Sequence, residues 1–199
     1  MSDEAIGRRE RKKAATRKAI SDAATRMFLD RGFDAVSIRE IADVADVSPT
    51  TVFAHFPQKE ALVFDEDEAQ RELLLRAVRD RHPGTSISQA LRALFETGVR
   101  EAIDEHHGDG PRQFMDLVTA TPALSDYAQK MWLRHGDALA DAIAAELALD
   151  EPTPQVRAYA RFVVQSQSLV FTAPDPAGAL GAVFDLLDTG WAAYEADPR

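Results

Sequence analysis

The sequence predicts an all-α protein, with a short three-helix part at the N-terminus and a larger helical part after it. Three observations predict this. Apolar residues recur at helical spacing along most of the 199 residues, whereas β-branched alternation is weak. Helix starts are signalled by Ser caps and by Thr-Pro and Asp-Pro pairs. Helix ends are signalled by Gly or by a Pro that cannot continue the helix. No internal repeat and no low-complexity stretch interrupts the pattern.

The first helix is expected over 12–31. Ile20, Ala23, Ala24, Met27 and Phe28 fall on one stripe, and Gly32 closes the helix. The second starts at Ser37, where Ser37-Ile38-Arg39-Glu40 reads as a capping box. The Ser hydroxyl accepts from the third amide and the Glu carboxylate reaches back. Ile38, Ile41, Ala42 and Ala45 form its inner face. The third starts at Ser48-Pro49, a cap followed by a residue whose missing amide costs nothing in the first turn. Val52 and Phe56 point inward and Pro57 ends the run. Only Asp46 and Val47 separate the second and third helices, so the two must cross steeply, which is helix-turn-helix geometry. A fourth helix is expected from Gln58 to Arg81, then others over 86–106, 111–119, 122–148, 153–172 and 176–195.

Composition narrows the function. The net charge is −10, yet residues 1–64 hold 11 Lys/Arg against 10 Asp/Glu, and the remainder 12 against 23. Arg8, Arg9, Arg11, Lys12, Lys13, Arg17 and Lys18 stand against Glu10 alone. Such a cluster can meet phosphates while the acidic body faces away, or it can be a solvated tail. Cys is absent, which excludes disulfides and thiolate metal sites and fits a reducing cytoplasm. The polar, basic start carries no secretory signal, and no run approaches the roughly 18 apolar residues of a membrane span.

From Ser37 to Leu62 the chain reads SIREIADVADVSPTTVFAHFPQKEAL. Ser37, Ile41, Ala42, Ala45, Val47, Ser48, Thr51, His55, Phe56, Lys59 and Leu62 keep a fixed spacing. With Ala23-Ala24, Phe28 and Gly32-Phe33 upstream, this stretch resembles the TetR family of transcriptional regulators over about residues 12–63. The resemblance implies a helix-turn-helix DNA-binding domain whose third helix enters the major groove. It implies DNA contacts from Ser37, Arg39, Ser48, Pro49, Thr50, Thr51, Phe53, His55 and Lys59, chiefly to phosphate from Thr51, the aromatic at 53, His55 and Lys59. Two positions depart from the family pattern. Asp46 stands where Gly is usual, at a cost of about 1 kcal/mol in a left-handed turn. Phe53 stands where Tyr is usual and can offer DNA only an apolar contact.

The resemblance also implies a homodimer through the last two helices, a double-stranded and palindromic DNA operator, and a small-molecule inducer. The width of the apolar surface on those helices, from Tyr159 to Val170 and Leu180 to Trp191, suits self-association. Phe95, Phe114, Tyr127, Met131, Trp132, His135, Gln165 and Ser168 are candidate lining for an inducer pocket, although aromatics at such spacing also fill ordinary cores. An apolar or amphipathic ligand is the default for such a pocket. No cofactor is expected. His106-His107, with Asp104, Glu105 and Asp109, is the sole His/acid cluster and makes a poor metal site. No nucleophile elbow, P-loop, GxGxxG or HExxH occurs, so no enzyme is expected.

The domains expected are therefore a disordered basic arm over 1–11, the DNA-binding domain over 12–63 with its helix-turn-helix at 37–56, and a ligand-sensing and dimerisation domain over 64–199. Two alternatives stay open: a family member that lacks an inducer or activates, and a helical small-molecule-binding or catalytic module whose basic arm is incidental.

Overall fold

A computed structural model describes residues 3–106 and 110–196. All regular structure among them is helical. The α-helices are α1 (Asp3–Arg31), α2 (Ile38–Val44), α3 (Pro49–His55), α4 (Asp67–Arg79), α5 (Ile87–His106), α6 (Gly110–Ala120), α7 (Pro122–Glu146), α8 (Pro154–Thr172) and α9 (Pro176–Ala196), with a 3₁₀ turn at Lys59–Leu62. The chain divides into two compact units. The first runs to Glu66 and takes in Leu117–Tyr127; the second comprises Asp67–Asp116 and the chain from Ala128 onward.

In the first unit, Ile20, Ala23, Ala24 and Phe28 of α1 are buried, on the stripe the sequence predicts. They meet Ile41 and Ala42 of α2, Val52 of α3, and Phe33, Phe56 and Leu62 from the connections, all buried. The Phe28 and Phe33 rings lie 5.0 Å apart. Gly32, at φ 83°, ends α1 and its N–H donates to the Phe28 carbonyl.

Two expectations change here. Residues 3–11 are not a disordered arm but the opening turns of α1. Ala, Arg and Glu make up six of those nine residues and are strong helix formers. The fourth helix does not run unbroken from Gln58. The 3₁₀ turn stops at Leu62, and α4 begins only at Asp67. Leu62, Val63 and Phe64 are all buried, and three such residues in a row would span about 200° of a helix, wider than one core-facing stripe; Phe64 stacks on Tyr127 at 5.2 Å.

In the second unit, Ile87, Leu91, Phe95 and Val99 form one buried row along α5. They share a core with Leu139 and Ile143 of α7, Tyr159 and Val163 of α8, and Leu180, Phe184 and Trp191 of α9. Tyr159 stacks on Trp191 at 4.0 Å, and Phe95 meets Phe184 edge-on at 5.7 Å. The Thr-Pro and Asp-Pro starts behave as the sequence predicts. Thr153 accepts from Val156 N–H and Asp175 from Gly178 N–H. No helix among the described residues is long and apolar enough to cross a membrane.

Candidate nucleic-acid interface

Local hydrogen bonds set the two short helices. Ser37 Oγ accepts from the Glu40 N–H at 3.2 Å, while Glu40 accepts from the Ser37 N–H at 2.8 Å. Arg31 joins the box with an N–H to Glu40 at 2.8 Å. These donors lower the Glu40 carboxyl to about 2, the Ser37 backbone N–H most, then the Arg31 and Ser37 side chains. Helix α2 closes with the Val47 N–H on the Ala42 carbonyl at 3.0 Å, which requires the left-handed Asp46 at φ 53°. Ser48 Oγ then caps α3, accepting from the Thr51 N–H at 3.0 Å and lying 2.8 Å from the Thr51 hydroxyl. Pro49 occupies the first turn.

The resulting α3 has a sharp division. Val52 is fully buried, and so is Phe56 at the C-cap; Pro49, Thr50, Phe53 and Ala54 are exposed, with Thr51 and His55 half-buried. At 100° per residue, Thr50 and Ala54 lie opposite the core side, flanked by Phe53 and Pro49 on one edge and Thr51 and His55 on the other. Phe53 is 51% exposed, unusual for an aromatic ring. Arg39 is exposed on α2. This is a short helix held from below with its outer face open, as a major-groove reader requires.

The family model for bacterial regulatory proteins of the tetR family matches residues 20–65. TcmR of Streptomyces glaucescens, an HTH-type transcriptional regulator, is 31% identical over 152 residues, 72% of this chain and 66% of its own length. MftR of Mycobacterium tuberculosis, a transcriptional regulator, is 28% identical over 189 residues, covering 90% of this chain and 93% of its own. The chain belongs to the TetR family of bacterial regulatory proteins. That membership makes it a DNA-binding transcriptional regulator in class. In structure, FadR of Thermus thermophilus shares the fold with a TM-score of 0.56 at 24% identity, over 86% of this chain and 92% of that one.

Within the TetR-type unit, the basic residues differ in placement. Arg17 is not among the free cations. One N–H donates to the His55 carbonyl at 2.7 Å and another to the Asp65 carbonyl at 3.1 Å, while the guanidinium covers the Phe56 ring at 4.2 Å. Its spacing shows why: Arg17 stands four, seven and eleven residues before Ser21, Ala24 and Phe28, on the buried stripe of α1. Lys59 donates to the Phe33 carbonyl at 2.6 Å and lies over the Phe33 and Phe28 rings at 4.2 and 5.4 Å. Burial lowers its ammonium pKa, with Asp34, Glu60 and Glu40 opposing. Arg8, Arg9, Arg11, Lys12 and Lys13, by contrast, are exposed. His55 is held below its ordinary pKa, first by burial, then by the charges of Arg17 and Lys13. It is therefore neutral at pH 7 and offers one ring N–H.

The pocket candidates differ in burial. Phe95 is in the core against Phe184, and Met131 is buried. Trp132 packs against the second unit's core. His135 is buried with its ring nitrogen 2.5 Å from Asp67, which also takes Arg134 at 3.1 Å. Phe114 and Ser168 are half-buried, and Gln165 is exposed. Tyr127 falls in the first unit, stacked on Phe64. The His106-His107 cluster, with Glu105 and Asp109, lies outside the described residues and side chains.

Proposed function

We propose that this chain is a repressor that binds a palindromic operator as a homodimer and leaves it when a small molecule occupies its C-terminal unit. The observation that carries the reading is the open outer face of α3, set between two Ser-capped helix starts and backed by a fully buried Val52. Thr50, Phe53 and Ala54 face the base edges. Arg39, His55 and the basic turns of α1 hold phosphates. Lys59 has two ammonium N–H groups beyond the one given to Phe33, enough to hold a phosphate as well. The hydroxyls of Ser37 and Ser48 shape the helix starts, so their contribution to DNA binding is positional.

Dimerisation is supported by the outer side of α8 and α9. Phe162 and Leu169 on α8 are 60% and 57% exposed, and Leu186 on α9 is 76% exposed. Three large apolar side chains left in water on two helices that pack together favour a partner surface of the same kind. Gln165 is exposed between Phe162 and Leu169, which suits this surface better than a pocket. A two-fold dimer would present its α3 helices to successive major grooves, about 34 Å apart. The inducer is supported by likeness alone: FadR is described as a TetR-family repressor in complex with lauroyl-CoA. Ligand and operator would then each weaken the other's binding by the same factor. The protein would act in the cytoplasm and would catalyse nothing.

The test is selection of bound fragments from genomic DNA by the full-length protein, followed by titration at several salt concentrations. A recurring two-fold site whose log K falls linearly with log salt supports the reading. Binding without sequence preference, or none, overturns it.

A further inference from the structure

The outer face of α3 lacks every side chain that makes paired hydrogen bonds to a purine. From Val47 to Gln58 there is no Arg, Lys, Asn, Asp or Glu, and the one Gln, at 58, lies beyond the helix. Arg or Lys on guanine and Asn or Gln on adenine are the usual means of purine readout in the major groove. What α3 presents instead is mostly carbon, with the Thr50 hydroxyl and the His55 ring as its polar groups. Thr50 offers a methyl, Ala54 its Cβ, Phe53 a half-exposed ring and Pro49 a ring edge. Thr51 has its hydroxyl beside Ser48 Oγ at 2.8 Å, so its polar end is engaged with the cap. The one group in that groove that rewards carbon is the C5-methyl of thymine.

We infer that α3 reads its operator through thymine methyl groups, with Thr50, Phe53 and Ala54 as the specificity-determining contacts. Base pairs beneath α3 are then T·A or A·T with the methyl facing the helix. Discrimination by hydrogen bonding falls to exposed residues outside α3, of which Arg39 is the candidate. The inference rests on α3 being the major-groove helix, and its test is built to fail separately from that reading.

A half-site is first obtained by selection from random DNA with the full-length protein. Synthetic operators are then made in which single thymines are replaced by deoxyuridine, which removes the methyl and leaves base pairing and the O4 acceptor intact. Replacement beneath α3 is expected to weaken binding roughly four-fold per methyl, the value for one buried carbon. Replacement at flanking positions leaves affinity unchanged. Thr50→Ser, which keeps the hydroxyl and loses the methyl, and Phe53→Ala should each remove the sensitivity at one thymine while keeping it at the others. If a defined site emerges but no deoxyuridine substitution changes affinity, α3 does not read methyls, although the protein still binds DNA. If no site emerges, the DNA-binding reading falls as well.

Discussion

The two units place their working surfaces by opposite means. In the first, two seven-residue helices are fixed by local hydrogen bonds from Ser37, Ser48 and Glu40, and by Arg17 and Lys59 reaching in from neighbouring segments. The outer face of α3 is thus set before any partner arrives. In the second, long helices bury one side in a shared core and leave Phe162, Leu169 and Leu186 in water. In the proposed dimer a second chain would cover that surface. A pre-set surface depends on single positioning residues; a shared one depends on the patch. Breaking the patch should therefore have the largest effect. Leu186→Glu with Phe162→Glu is expected to convert the dimer to a monomer by sedimentation. Operator affinity should drop at least 100-fold, because the second half-site no longer benefits from being tethered to the first. A dimer that survives both charges places the interface elsewhere.

Next in size is the loss of a positioning residue. Arg17→Lys keeps the charge but cannot reach two carbonyls with a planar fork while covering the Phe56 ring. We expect a loss of about 2 kcal/mol in denaturant unfolding of the first unit, as for charged hydrogen bonds to partly buried carbonyls. The reverse exchange at exposed Lys13, Lys13→Arg, should leave stability within about 0.5 kcal/mol of wild type. If the two behave alike, Arg17 acts through its charge and not its geometry.

This contrast also explains what could be read from the sequence. The capping box at Ser37, the Ser48-Pro49 start and the left-handed Asp46 are local signals, each spanning four residues or fewer, and each appears in the structure as expected. The later helices agree with expectation to within about two residues, because Thr-Pro and Asp-Pro starts are local too. Charge alone places Arg17 among the phosphate-facing cations, whereas its spacing from Ala24 and Phe28 puts it on the buried stripe of α1. The break at Val63-Phe64 depends on Tyr127, over sixty residues away, and no local pattern reports that. Phe95 belongs to the second unit's core and Trp132 packs against it, and core and cavity draw on the same residue types.

Smaller effects compare the two helix ends that force a non-glycine residue into the left-handed region. Asp46 closes α2 and Ala148 closes α7, both at φ 53°. At each, the following N–H reaches back five residues, Val47 to Ala42 and Leu149 to Ala144. Asp46→Gly and Ala148→Gly should each raise stability by about 0.5–1 kcal/mol in thermal unfolding. Only Asp46→Gly should also tighten operator binding, by removing an anion next to the proposed groove helix. Equal operator affinity for both variants would place Asp46 away from DNA.

The smallest effect is one of pH. Glu40 titrates near 2 in the folded chain against an ordinary 4.5, because its carboxylate accepts from Ser37 and Arg31. A carboxyl with a lowered folded value stabilises the fold above its unfolded pKa. That stabilisation is lost as pH falls from about 4.5 toward 2. Unfolding of the first unit should therefore be acid-sensitive over this window, and Glu40→Gln should lessen the sensitivity while lowering stability at pH 7. The Gln amide can still accept from the Ser37 N–H but cannot attract Arg31 as an ion, so the loss at neutral pH should be small and should shrink further in high salt. An Ala at the same position removes the acceptor altogether and should be worse than Gln at every pH. If Gln and Ala coincide, the reciprocal cap contributes nothing to holding α2, and the pre-set character of the first unit would have to come from its core alone.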